Sequence, residues 1–217
     1  MIKAVVFDFD GLIVDTESIW YEAYRDVLVD YGIDLQLEQF AKVIGTNDTV
    51  LYDYIRKNSK KEVDRNVIEG AAHKVFHEKM GQPALREGVR EYLNSAKRLG
   101  LKIGLASSSS RKWVTDYLKI FEIDHYFETI HTRDDVQFVK PDPALYLLAV
   151  DKLHVKPNEA LAFEDSLNGM TAALNAGLYC VIVPNPVTSD LPFQDFHYRL
   201  QSMSECSLEK LLNKINT

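Results

Sequence analysis

The chain has only two cysteines in 217 residues, Cys180 and Cys206, and neither belongs to a CxxC pair. That argues against a disulfide framework and against a structural zinc site, and it suits a reducing compartment. Basic residues do not dominate either. The net charge is −7, whereas a surface that coats nucleic acid or anionic lipid has to be basic. No apolar stretch approaches membrane-spanning length, and Met1-Ile2-Lys3 runs into "AVVF", too short for the apolar core of a signal peptide. Repeats are missing, and "SSSS" at 107–110 is the only low-complexity tract. The expectation is a cytoplasmic, monomeric protein that binds neither nucleic acid nor membrane. With 46% hydrophobic and 26% charged residues, there is enough apolar material for one large domain or two small ones.

What is present is an alternation. "KAVVFDF" (3–9) reads as a fully buried strand, closed by Gly11. Ile19, Trp20, Ala23, Tyr24, Val27, Leu28 and Tyr31 then fall at helical spacing, with Gly32 as a stop. From there to about residue 82 no convincing strand occurs; "LYDYI" and "VIEGAAHKVFHEKM" carry apolar stripes. After Gly88 helix and strand alternate. Strands are predicted at 101–106, 126–132, 160–164 and 178–184, and helices at 89–99, 113–121, 143–153, 168–177 and 208–215. Such alternation implies an α/β fold, a doubly wound parallel sheet with helices on both faces. The helical block interrupts it after the first strand only. The predicted division is therefore a core of 1–15 and 86–217, with an inserted all-helical cap at 16–85.

In an open α/β sheet, ligands bind at the carboxyl ends of the strands. The first strand ends in Asp8-Phe9-Asp10, the second in Ser107-Ser108, and the fourth in Glu164-Asp165; Lys140 lies in the loop after the third. Two aspartates at the end of a buried strand favour neither strand nor interior, so they call for a cation, a proton or a chemical use.

"DFDGLIVDT", "LASSS", "KPDP" and "FEDSLNG" resemble, in order and spacing, the four motifs of the haloacid dehalogenase superfamily. The resemblance covers nearly the whole chain and lies closest to the phosphatase and β-phosphoglucomutase branch with a helical cap. It implies an Mg²⁺-dependent phosphomonoester hydrolase acting on a small phosphorylated metabolite, with a sugar phosphate expected. Asp8 would be the nucleophile that forms an aspartyl phosphate. Asp10 would protonate the leaving oxygen and then activate water. Mg²⁺ would be held by Asp8, the Asp10 carbonyl and Asp165, with Glu164 supporting through a bound water. Ser107, with Ser108 beside it, would bind phosphate oxygens together with backbone N–H groups at the next helix start. Lys140 would neutralise charge on the transferring group.

Plainer readings exist for several of these residues. Asp15 either supports the site or caps the helix beginning at Glu17, and Ser108, Ser109, Ser110 and Ser166 fit turns or helix caps. His73 and His77 lie four apart, but without a third ligand a solvated face is the simpler reading; the other histidines receive no role.

Within the superfamily, Asp10 favours phosphoryl chemistry over dehalogenation. The mutase branch carries a histidine on the first cap helix where this chain has Trp20, and an arginine after a cap-loop glycine where, beyond Gly45, it has Asp48. Asp48 is expected to repel a second phosphate. Lys79 is a loose match to a mutase cap lysine. These departures favour a phosphatase, with a phosphosugar mutase as the alternative. A receiver-type signalling domain is a remoter one, since its phosphoacceptor ends a later strand and it lacks a cap.

Overall fold

The computed structural model describes residues 1–215. In chain order the strands are β1 (Ala4–Phe7), β2 (Lys102–Ala106), β3 (Thr129–His131), β4 (Ala160–Glu164), β5 (Tyr179–Ile182) and β6 (Tyr198–Arg199). The helices are α1 (Glu17–Leu28), α2 (Leu37–Phe40), α3 (Thr49–Asn58), α4 (Arg65–Met80), α5 (Val89–Arg98), α6 (Arg111–Ile120), α7 (Ala144–Lys152), α8 (Leu167–Asn175) and α9 (Leu208–Ile215).

The six strands form one parallel sheet in the order β3-β2-β1-β4-β5-β6. All four residues of β1 are buried, because both faces of the sheet are covered. Val5 and Phe7 pack with Val89, Leu93, Val114, Leu118 and Leu208 of α5, α6 and α9. Ala4 and Val6, pointing the other way, pack with Leu145, Ala149, Ala172 and Ala173 of α7 and α8. The sheet is thus doubly wound, as the alternation predicts. Its winding reverses between β1 and β4, where Phe7 lies opposite Phe163. A crevice at such a reversal is where α/β sheets bind ligands, and here it brings Asp8 beside Glu164 and Asp165.

Helices α1 to α4 lie between β1 and α5 and have a core of their own. Tyr24 and Leu28 of α1, Phe40, Leu51, Tyr52 and Ile55 of α2 and α3, and Ile68 and Ala72 of α4 are buried together. The Asp64 side chain caps α4, accepting from the backbone N–H of Asn66 and Val67. The chain re-enters the sheet layer beside its exit: the Arg86 N–H donates to the Ile13 carbonyl at 2.9 Å. The Arg86 guanidinium also donates to the carbonyls of Gly11, Val183 and Pro184. No described helix is long and apolar enough to cross a membrane.

Several boundaries differ from the sequence expectation. β1 stops at Phe7, because the Phe9 carbonyl turns to accept from Leu12 and Ile13. The expected third strand keeps only Thr129–His131, since Asp124–Tyr126 coils into a 3₁₀ turn. α6 begins two residues early, at Arg111, where the Ser110 hydroxyl accepts from the Trp113 N–H. β6, two residues long, has too little pattern to be seen in advance.

Candidate active site

The loop after β1 places Asp8 and Asp10. Gly11 turns it with φ +78°, and a Cβ at this position would overlap the Asp165 carboxylate, so glycine is needed for both conformation and space. Asp8 is buried, with its N–H donating to the Phe163 carbonyl of β4 at 3.1 Å.

Lys140, also buried, reaches the same point from the loop after β3. Its Nζ donates to Asp8 Oδ1 at 2.5 Å and to Glu164 Oε1 at 2.6 Å. Tyr146 of α7 donates its hydroxyl to Glu164 Oε1 at 2.5 Å, and the Asp165 N–H and Ser166 Oγ donate to Oε2. Glu164 is therefore fully occupied as an anchor for Lys140. Burial disfavours the charge on Lys140, but Asp8 and Glu164 more than offset it and hold the ammonium above the usual lysine range.

Asp165 Oδ2 accepts from Asn185 Nδ2 at 2.7 Å, while its Oδ1 is buried with no partner among the described residues. Asp8, Glu164 and Asp165 bring oxygens within 4.8 Å of one another, with one ammonium among three buried carboxylates. Burial, reinforced by the neighbouring carboxylates, pushes Asp8 up to about 8 and raises Asp165 well above the ordinary carboxylate range. An all-oxygen donor set with uncompensated negative charge and an orphaned oxygen fits a hard divalent cation such as Mg²⁺.

Asp10 stands on the open side of this cluster. Its Oδ1 accepts from Thr16 Oγ1 at 2.8 Å and from the Trp113 indole N–H at 2.9 Å, and its Oδ2 accepts from Ser109 Oγ at 2.5 Å. Ser107 Oγ, buried after β2, accepts from the Ser109 N–H at 3.0 Å. Ser108 donates its hydroxyl to the Gly45 carbonyl at 2.8 Å, tying the strand end to the helical insert. A small cavity of about 40 Å³ is lined by Asp8, Asp10, Glu17, Gly45, Thr46 and the serines 107–109. Asp10, Glu17 and Ser109 also line a larger cleft of about 270 Å³, whose other walls include Trp20, Asp48, Glu69, His73 and Trp113. Glu17 bridges the two spaces. Burial and the nearby Asp10 and Asp8 push its carboxyl upward.

All seven sequence-predicted site residues converge at this end of the sheet, although Ser108 spends its hydroxyl on the insert. Asp15 accepts from the Ser18 N–H at 3.1 Å, the geometry of a cap on α1. Ser109, read as a turn or cap residue, instead holds Asp10. Lys79 pairs with Glu22 and Asp26 on the exposed face of the insert. Asp48 does not stand alone: Arg65 bonds both its carboxylate oxygens at 2.9 Å, which weakens the repulsion expected of it. Trp113, Tyr146, Asn185 and Arg65 were not foreseen. Only Asn185, just past the fifth strand, sits where a sequence rule could have pointed.

An open parallel sheet with an ammonium among buried carboxylates at its winding reversal suits phosphoryl-transfer chemistry. The family model for haloacid dehalogenase-like hydrolases matches residues 5–183, and the chain belongs to that family. It is 48% identical over its whole length, and 99% of the other chain's, to YhcW of Bacillus subtilis, a protein named provisionally as a phosphatase. It is 32% identical to Hexitol phosphatase B of Escherichia coli K12 over 97% of both chains. Among solved structures, CbbY of Rhodobacter sphaeroides with xylulose-1,5-bisphosphate superposes with a TM-score of 0.80, at 30% identity over 97% of this chain and 99% of that one. The protein is a hydrolase of the haloacid dehalogenase-like family, and relatives it resembles are named as phosphatases.

Proposed function

We propose that the protein hydrolyses a small phosphomonoester, a sugar or sugar-alcohol phosphate, through a phosphoaspartate on Asp8. The observation that carries this is the convergence of Lys140 and the orphaned Asp165 oxygen on Asp8, which lines a small cavity together with Asp10. An Asp8 oxygen attacks phosphorus, the ester P–O bond breaks, and the departing alcohol oxygen takes a proton from Asp10. The ionised Asp10 then takes a proton from water, whose oxygen attacks the phosphorus. The P–O bond to Asp8 breaks, releasing inorganic phosphate and restoring the carboxylate. Lys140, held in place by Glu164, lowers the cost of negative charge on the transferring oxygens, and Ser107 and the N–H groups around it orient them. Mg²⁺, held by Asp8, Asp165 and the Asp10 carbonyl, would add positive charge against the phosphoryl group.

The larger cleft supports the substrate class. Its carboxylates, Glu17, Asp48 and Glu69, accept hydrogen bonds from hydroxyls, and Trp20 and Trp113 offer faces for a carbon skeleton. The relatives named for hexitol phosphates, and solved with a ketose bisphosphate, agree with that chemistry. We read residues 16–85 as a cap over the rim that supplies most of this cleft. The mutase alternative draws on Arg65 and on Arg133, which also lines the cleft. Against it, Arg65 is engaged by Asp48, and Trp20, stacked on Phe76 at 4.1 Å, carries no charge for a second phosphate.

Quenching the enzyme with borohydride during turnover tests the proposal, because an acyl phosphate is reduced to the alcohol. Mass spectrometry should find homoserine at position 8 and lose it in Asp8→Asn. Turnover with no modification at that residue would refute the covalent route.

A further inference from the structure

The Asp10 carboxylate is held unevenly. Both lone pairs of Oδ1 are taken, one by the Thr16 hydroxyl and one by the Trp113 indole N–H at 2.9 Å, whereas among the described residues Oδ2 meets only the Ser109 hydroxyl, at 2.5 Å. A hydroxyl can turn round and accept; an indole N–H only donates. A proton on Oδ1 would have to displace a donor that cannot reverse, while a proton on Oδ2 needs only rotation of the Ser109 hydroxyl.

The indole is itself fixed. Its ring lies 4.7 Å from Tyr117 of its own helix, and 5.6 Å and 6.4 Å from Phe76 and Trp20 of the helical insert. Trp20 in turn stacks on Phe76 at 4.1 Å. The donor that grips Asp10 is thus wedged between the sheet layer and the insert.

We propose that Trp113 is a positioning residue for Asp10: its N–H pins Oδ1, so that Oδ2 is the oxygen that passes the proton to the leaving alcohol and recovers one from water. The inference rests on the acid–base role proposed above for Asp10. It goes beyond that role by assigning it to one oxygen and by making the insert's aromatic stack part of the placement. An ordinary packing role for Trp113 predicts something different, and the two can be separated.

The measurement is kcat/KM for a series of aryl phosphates whose leaving phenols run from nitrophenol to phenol. A well-placed acid flattens the dependence on leaving-group acidity, because poor leaving groups need the proton most. Trp113→Phe should steepen it, so that phenyl phosphate loses about tenfold more activity than 4-nitrophenyl phosphate. Replacing Trp113 by 3-benzothienylalanine, the same bicycle without the N–H, removes only the donor and must steepen the series likewise, even if Trp113→Phe folds poorly. In an Asp10→Asn background the Trp113 substitution should add no further steepening, since the group it positions is gone. An equal loss across the series in both Trp113 variants would overturn the inference and leave Trp113 a packing residue. If Asp10→Asn itself fails to steepen the series, the acid–base role falls, and the inference falls with it.

Discussion

The rim of the sheet and the helical insert handle charge in opposite ways. At the rim, Lys140 is wholly buried between Asp8 and Glu164, and Glu164 is fixed by further bonds. In the insert, Arg65 with Asp48 and Lys79 with Glu22 and Asp26 form pairs that remain partly in solvent. Exposed pairs contribute little and can be exchanged; a buried network is strongly disrupted by losing any one member. The rim therefore tolerates little exchange of charge, whereas the insert can exchange its pairs at small cost.

The largest effect should come from cutting the buried network. Lys140→Met would leave Asp8 and Glu164 facing each other without a cation. It should lower kcat by about a thousandfold and destabilise the fold by about 3–5 kcal/mol in denaturant titrations. Loss of activity with unchanged stability would show that Lys140 does not hold the rim together.

A smaller effect should appear when a metal ion is bound or withheld. Folded Asp8 keeps its proton up to about 8, against 3.8 for the unperturbed side chain, and Asp165 is raised in the same direction. Over this window the folded state binds more protons than the unfolded chain, so in chelator stability should fall as pH rises from about 4 to 8. Mg²⁺ competes with those protons, so it should raise the melting temperature more at pH 8 than at pH 5.5. Equal shifts at both pH values would mean that the cation binds elsewhere.

The insert should give the mildest response. Asp48→Asn removes a negative charge from the cleft and releases Arg65. It should improve selectivity for a sugar bisphosphate over the monophosphate by about fivefold in kcat/KM, with little change in stability. No change in selectivity would place the distal end of the substrate away from Asp48.

The same contrast explains what could be read before the structure. Asp8, Asp10, Ser107, Lys140 and Asp165 follow strands and Glu164 ends one, and strand ends are visible from apolar runs and their breaks. A doubly wound sheet then has to gather them on one rim. The serine run could not be resolved in that way. Four identical residues sit in one turn, yet Ser107 meets a backbone N–H, Ser108 the insert, Ser109 Asp10, and Ser110 the cap of α6. Such assignments depend on side-chain direction, which spacing does not carry. Trp113 and Arg65 were hidden for a related reason. Each lies on a helix whose apolar stripe shows that it packs, and its polar partner belongs to a distant segment. Asp48 shows the cost of reading one charge without its neighbour.

In the proposed reaction the rim transfers the phosphoryl group to water and the insert does not return it to the sugar. A phosphorus NMR time course on β-glucose 1-phosphate, with Mg²⁺ and priming glucose 1,6-bisphosphate, tests it directly. Inorganic phosphate is the expected product, with no interconversion of β-glucose 1-phosphate and glucose 6-phosphate. Glucose 6-phosphate rising ahead of inorganic phosphate would contradict the phosphatase reading and establish the mutase.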